Sequence, residues 1–142
     1  MLDKNKKLFQ ALKDLRLPPG EYAIFGSGPM GIRNLREMHD IDIIVTEKLF
    51  NEYADKAGWD VKNIYENNDC FKGLNNRAIN IEIWKDWYTD WDVKKMIQEA
   101  DIIDDMPFVK LDYLIKWKKF FARQKDVKDV ELIEKFLSTG GV

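Results

Sequence analysis

Two aspartates separated by one residue, Asp40 and Asp42, form the pair in this chain whose types and spacing could do chemistry. They open an apolar run through Val45 that reads as a strand. Side chains alternate along a strand, so both carboxylates share one face while Ile41, Ile43 and Val45 take the other. Neighbouring carboxylates repel each other. Unless solvated, they need a shared cation, and hard oxygen ligands of this kind suit Mg²⁺. Upstream, Gly26-Ser27 ends another apolar run and leads into a short helix. That turn offers a hydroxyl and backbone N–H groups, which suit phosphate. Phosphate donors beside paired carboxylates imply a nucleotide–metal site.

The elements that must position these residues can be read around them. Tyr22 to Val45 reads as strand, glycine turn, short helix, strand. Before it, residues 3–16 form an amphipathic helix, with Asp3 able to cap it and Leu8, Phe9, Leu12 and Leu15 on one stripe. Pro18-Pro19-Gly20 ends it. Residues 48–57 read as a second helix, grouping Leu49, Phe50, Tyr53, Ala54 and Ala57, with Gly58 as its stop signal. Extended pieces follow at 60–66, 69–73 and 77–84, separated by turn residues at Asn67-Asn68-Asp69 and from Gly73 to Asn76. The last of them, RAINIEIW, alternates: Ile79, Ile81 and Ile83 face one way, and Asn80, Glu82 and Trp84 the other. Residues 92–100 are helical, a short extended piece around Ile102 and Ile103 leads to Pro107, and two helices between Lys110 and Leu137 break near Lys125-Asp126. In the first of these, Leu111, Leu114, Ile115, Phe121 and Ala122 form an apolar stripe with Lys118 in its midst. A lysine there must snorkel to the edge or meet an anion. The fold class is α+β: a small mixed sheet flanked by helices, in one domain spanning residues 1–142.

Two motif readings compete for the glycine turn. GSGPMG at residues 26–31 fits G-x-G-x-x-G after a strand, with Glu47 at the offset of a ribose-binding acid, as in a dinucleotide-binding Rossmann unit. That reading leaves Asp40 and Asp42 in a central parallel strand, where apolar residues are expected. It also needs further strand–helix–strand units, and hairpin-like pieces follow instead. The other reading takes Phe25-Gly26-Ser27 and, twelve residues on, Asp40-Ile41-Asp42-Ile43. These resemble the polymerase-β-like nucleotidyltransferases. The tail FVKLDYLIKWKKFFARQKDVKDVELI is similar to that of bacterial nucleotidyltransferase-like proteins of the abortive-infection toxin type, with Lys118, Arg123, Lys125, Asp126 and Asp129 at corresponding places. The resemblance covers about residues 20–137. It departs from the family where Gly28-Pro29 follows Gly-Ser.

That resemblance implies a nucleotidyltransferase-like fold with C-terminal helices. It implies transfer of a nucleoside monophosphate from an NTP to a hydroxyl on a small molecule, a protein or an RNA end. Asp40, Asp42 and a third carboxylate, Glu82, would hold two Mg²⁺ ions, or Mn²⁺ in their place. Gly26, Ser27, Arg33 and Lys118 would bind the nucleotide's phosphates. A non-catalytic relative, kept as a nucleotide-binding or antitoxin-like module, is the alternative from another class.

Each residue also has a plainer role open to it. The aspartates could be solvated acids at a strand start, Glu82 the wet side of an edge strand, and Ser27 a helix cap. Arg33 and Arg36 could be a solvated helix face, and Lys125, Asp126 and Asp129 a salt-bridged helix start. His39 reads as a loop residue, Cys70 as inert, and Trp84, Trp87, Tyr88 and Trp91 as packing with base stacking open to them. The totals narrow the classes further. With 142 residues, 45% hydrophobic and 34% charged, the chain has the composition of a globular domain. A net charge of −2 gives no global basic field for nucleic acid or membrane. One cysteine and one histidine exclude an internal disulfide and a multi-histidine metal site. No secretory leader or membrane-spanning run is read, so the expected location is cytoplasmic by default.

Overall fold

The computed structural model describes residues 1–66, 69–86 and 91–141. Asn67, Asn68, Trp87 and Tyr88, named above for a turn and an aromatic cluster, lie outside the described residues. In chain order the elements are α1 (Asp3–Asp14), β1 (Tyr22–Phe25), α2 (Gly28–Gly31), β2 (Ile41–Val45), α3 (Glu47–Ala54), β3 (Asp60–Glu66), β4 (Asp69–Asn76), β5 (Ile81–Trp84), α4 (Val93–Gln98), β6 (Asp101–Ile103), β7 (Met106–Phe108), α5 (Leu111–Phe121) and α6 (Gln124–Ser138). The strands form one seven-stranded mixed sheet in the order β3-β4-β5-β2-β1-β7-β6.

Apolar side chains cover both faces of that sheet. On one face Ile24, Ile41, Ile43, Val45, Ile81 and Ile83 pack with Leu8, Phe9 and Leu12 of α1 and Leu49, Phe50 and Tyr53 of α3. On the other, Phe25, Ile44, Phe71 and Trp84 pack with Met96 and Ile97 of α4, Leu111 and Leu114 of α5 and Ile133 of α6. Strands covered on both sides read as nearly unbroken apolar runs, which explains YAIF and IDIIV. Asp42 is the polar exception in these two strands, on the same face as Ile44.

The β1–β2 pairing rules out the dinucleotide-binding reading of the glycine turn at the level of architecture. These strands run antiparallel, with Phe25 opposite Asp42. A Rossmann unit requires a parallel pair joined by a crossover helix, whereas α2 is a single turn of four residues. The glycines have local steric causes. A Cβ on Gly28 would lie 2.2 Å from the Ile24 side chain, and one on Gly31 would lie 2.1 Å from the Met38 sulfur.

Several boundaries differ from the sequence expectation. Asp3 sits inside the first turn of α1, and Leu2 occupies the cap position. Leu15 is only partly buried, and Ala54 and Ala57 are exposed. The 69–73 piece extends to Asn76 because β4 pairs with both β3 and β5. The 77–84 piece shortens to Ile81–Trp84, since residues 77–80 make a turn in which Asn80 is left-handed at φ +56°. Met106–Phe108 forms a strand of its own, paired with β6. The break between the last two helices falls at Ala122-Arg123, with Ala122 left-handed at φ +50°, not at Lys125-Asp126. Among the described residues, no helix is long and apolar enough to cross a membrane.

Candidate functional site

The carboxylates of Asp40, Asp42 and Glu82 come together. Each offers an oxygen, and these oxygens lie within 4.8 Å of one another. The sheet register brings this about. β2 and β5 are parallel neighbours with Asp42 directly opposite Glu82, so both side chains project from one face. Asp40 precedes the first residue of β2 and stands two residues from Asp42, on the same side. All three are partly buried.

Gly26 makes room for this cluster. Its φ of +63° favours glycine, and a Cβ there would lie 2.6 Å from the Asp42 Oδ2. The Gly-Ser turn thus brings main chain against the carboxylate that faces the end of β1. Ser27 does not cap α2 through its side chain. Its hydroxyl instead lies 3.5 Å from the Asp40 carbonyl oxygen, at the limit of a hydrogen bond.

The electrostatics of the triad are those of charges gathered without enough compensation. Burial pushes the Asp42 carboxyl well above its ordinary range, and the charges of Asp40 and Glu82 and a hydrogen bond with Glu82 push further the same way. A hydrogen bond with the Trp84 side chain opposes this; the indole N–H can only donate. Burial also raises Asp40, as does the charge of Glu82, against the nearby Lys62 and His39. The Lys62 ammonium, on β3, forms an ion pair with Glu82.

Asp40 and Asp42 form one side of a cleft of about 230 Å³, and Gly26, Ser27, Trp117 and Lys125 also line it. The opposing wall comes from α5, α6 and the loop before Asp40. There Lys118 donates to Asp129 at 2.8 Å and lies 3.8 Å from Asp126. Arg36 donates to the same Asp129 oxygen at 2.6 Å. Arg123 occupies the cap position of α6, its backbone N–H and Nε both donating to Asp126. Burial alone would raise the Asp126 carboxyl; hydrogen bonds and charge from Arg123, with Lys118 nearby, outweigh it and hold the group below its usual value.

Gly26, Ser27, Asp40, Asp42 and Lys118 therefore border one cleft, and Glu82 joins the aspartates from the neighbouring strand. Arg33 does not reach it. Its guanidinium donates to the Pro29 carbonyl at 2.8 Å and lies 3.5 Å from Asp101, so Arg36 is the arginine of that segment that borders the cleft. Lys118 meets an anion as its place on an apolar stripe requires, but the anion is Asp129 from the next helix.

Two residues that the sequence reading passed over shape the site. Lys62 is one. The other is Asn5, which is fully buried on α1. Its amide donates to the Arg36 carbonyl at 3.1 Å, and its side-chain oxygen accepts from the Met38 N–H at 2.8 Å. This clasp fixes the loop that carries Arg36 and leads into Asp40. A sequence signal did exist: Asn5 lies on the stripe of Leu8, Phe9 and Leu12, and a polar group on a buried stripe must find partners. Lys62 carried no such mark in an edge strand of mixed residues.

Comparison with models of protein families, with curated proteins and with solved structures found no match.

Proposed function

We propose that this chain is a nucleotidyltransferase of the polymerase-β-like kind, moving a nucleoside monophosphate from an NTP to a hydroxyl. The convergence of Asp40, Asp42 and Glu82 carries the reading. Three oxygen donors in a partly buried pocket, two of them with raised pKa, make a donor set that a hard divalent cation suits. Bound there, Mg²⁺ or Mn²⁺ would supply charge neutralisation to the phosphates and acidify the acceptor hydroxyl.

The chain's own residues do the rest. Asp40 and Asp42 hold the cation side of the site. Gly26 and Ser27 place main chain and a hydroxyl at the cleft floor, where the outer phosphates would lie. Lys125, exposed at the cleft, adds positive charge on that side. Glu82 stands beside the aspartates, where it can accept the proton of the attacking hydroxyl. In the reaction the acceptor oxygen bonds to the α-phosphorus, the bond to the bridging oxygen breaks, and pyrophosphate leaves. Catalysis is then mainly positioning and electrostatic stabilisation. A non-catalytic relative would be favoured by an incomplete acid set, and here the set is complete.

The test is ligand-dependent stability joined to turnover. A ligand that binds only the native state must raise its melting temperature. Mg²⁺ with one of the four NTPs should do so where NAD and FAD do not, and α-³²P label from that NTP should pass to an acceptor pool. A shift with NAD and none with any NTP would end this reading.

A further inference from the structure

We infer that Lys62 is a tethered counter-ion of the acidic triad, competing with a divalent cation for Glu82 and so setting the affinity of the site. The inference rests on the triad being the metal site proposed above. Lys62 stands on β3, an edge strand, opposite Gly73 of β4, and Gly73 in turn is opposite Trp84 of β5. A Cβ at position 73 would lie 2.5 Å from the Trp84 ring, so that ring lies close over Gly73 on the strand between. Lys62 crosses the strand between and pairs with Glu82, two residues before Trp84. Its side chain remains 46% exposed while that of Glu82 is 13% exposed, so the ammonium reaches the triad from solvent.

Its charge is felt beyond Glu82, because it also acts on Asp40 against the burial that raises that group. Among the described residues, Lys62 is the cation ion-paired to the triad. Three carboxylates and the ammonium stand together, so a divalent cation entering there meets a positive charge already in place. A cation that takes the Glu82 Oε1 as a ligand must displace the ammonium, and the long flexible stem lets it leave into water. Lys62 thus limits repulsion in the metal-free protein and weakens the metal's hold. The site then fills fully when nucleotide phosphates arrive with the metal.

The experiment measures Mn²⁺ and Mg²⁺ affinity by calorimetry and by thermal shift, without nucleotide, for wild type, Lys62→Gln, Lys62→Met and Lys62→Arg. Removing a part-exposed ion pair and a nearby like charge should tighten the divalent cation by about tenfold in the Gln and Met variants. Their metal-free melting temperatures should fall, and saturating Mn²⁺ should close the gap to wild type. Lys62→Arg should keep an affinity near that of wild type. Unchanged or weaker binding in both Gln and Met variants would overturn the inference, the weaker case making Lys62 a support for Glu82. If wild type and all variants bind neither ion, the reading of the triad falls and this inference with it. Binding by wild type with no change on losing Lys62 would sink the inference alone.

Discussion

The molecule holds two carboxylate clusters close to one another at the same cleft, and their electrostatics differ in kind. Asp126 and Asp129 are met by Lys118, Arg36 and Arg123, so two acids have three cations within reach. Asp40, Asp42 and Glu82 are three acids with one lysine ion-paired to them, among the described residues. Burial raises the carboxyls of Asp40, Asp42 and Asp126 alike, but Arg123 and Lys118 outweigh it at Asp126 and hold that group below its usual range, while the neighbouring acids add to it at Asp40 and Asp42. A neutralised cluster needs nothing further and acts as a brace between helices. An under-compensated cluster is costly for the fold to hold, and a cation would remove that cost. Identical residue types therefore stand in opposite electrostatic settings, and the proposed function rests on the second of them.

The sharpest way to break this division is to neutralise one acid in each cluster. Asp42→Asn should lower nucleotidyl transfer by about a thousandfold, roughly 4 kcal/mol of transition-state stabilisation, while metal-free stability holds or rises. Thermal unfolding with and without Mg²⁺-NTP, beside the label-transfer assay, checks both halves. A mutant that is less stable without metal and keeps the wild-type response would place Asp42 in the structural class.

Asp129→Asn should show the opposite pattern. It leaves the buried Lys118 without its closest partner, and breaking such a pair costs about 3 kcal/mol. Urea unfolding measures this, and Mg²⁺ affinity of the folded fraction should change little. A stable Asp129→Asn protein that had lost Mg²⁺ binding would move Asp129 to the other side of the comparison.

Asn5→Ala tests the tie between α1 and the site. It strips the Met38 N–H of its acceptor and should cost about 2 kcal/mol. Beyond that loss, Mg²⁺ affinity should fall, because the loop entering Asp40 is no longer fixed. An equally destabilised core variant, such as Ile83→Val tuned by temperature, should keep its Mg²⁺ affinity. If both lose affinity alike, Asn5 matters only through global stability.

The smallest effect is the pH dependence of the metal-free protein, and here the two clusters pull in opposite directions. Asp40 and Asp42 have raised folded pKa values, so their contribution is complete below the ordinary aspartate value and fades as pH rises through the raised ones. Asp126 has a lowered value, so its contribution is present above the ordinary range and lost as pH falls through the folded one. Urea midpoints in EDTA should peak on the acid side and decline as pH rises from the ordinary aspartate range through the raised values. Asp42→Asn should flatten the rising-pH arm and Asp126→Asn the acid arm. A wild-type midpoint that climbs steadily over that interval, with EDTA present, would contradict the assignment for the triad.

The triad was legible in the sequence because its logic is local. Period-two alternation put Asp40 and Asp42 on one face; the resemblance called for a third carboxylate, and Glu82 among alternating isoleucines was the one on offer. Only the pairing of β2 with β5 had to be supplied by the fold. The brace was less legible. A lysine on an apolar stripe had to snorkel to the edge or meet an anion, and Asp129 reaches Lys118 only because the chain reverses at Ala122. An alanine in the left-handed region gives no warning, since glycine is the usual residue at such a stop. The sequence reading accordingly puts the helix break three residues late. Arg33, and not Arg36, is taken for the phosphates in the sequence reading; α2 is one turn long, and the loop after it sends Arg33 to Pro29 and Asp101 and brings Arg36 to the cleft. Pro107 suggested the end of an extended piece, yet it lies within β7, pairing with Ile102 across a short hairpin.

The pairing of Arg36 with Asp129 spans 93 positions of the chain. The hairpins β3–β4 and β6–β7 and the α5–α6 corner, by contrast, are made of near neighbours. Contacts that close long loops form after local ones, because their entropy cost must be met first. Loop-closure cost alone places the seam between the Arg36 loop and α6 after the hairpins in the expected order of assembly. A divalent cation can act only on what exists when it arrives. Mg²⁺ should leave the early refolding rate of this protein unchanged and express its stabilisation as slower unfolding.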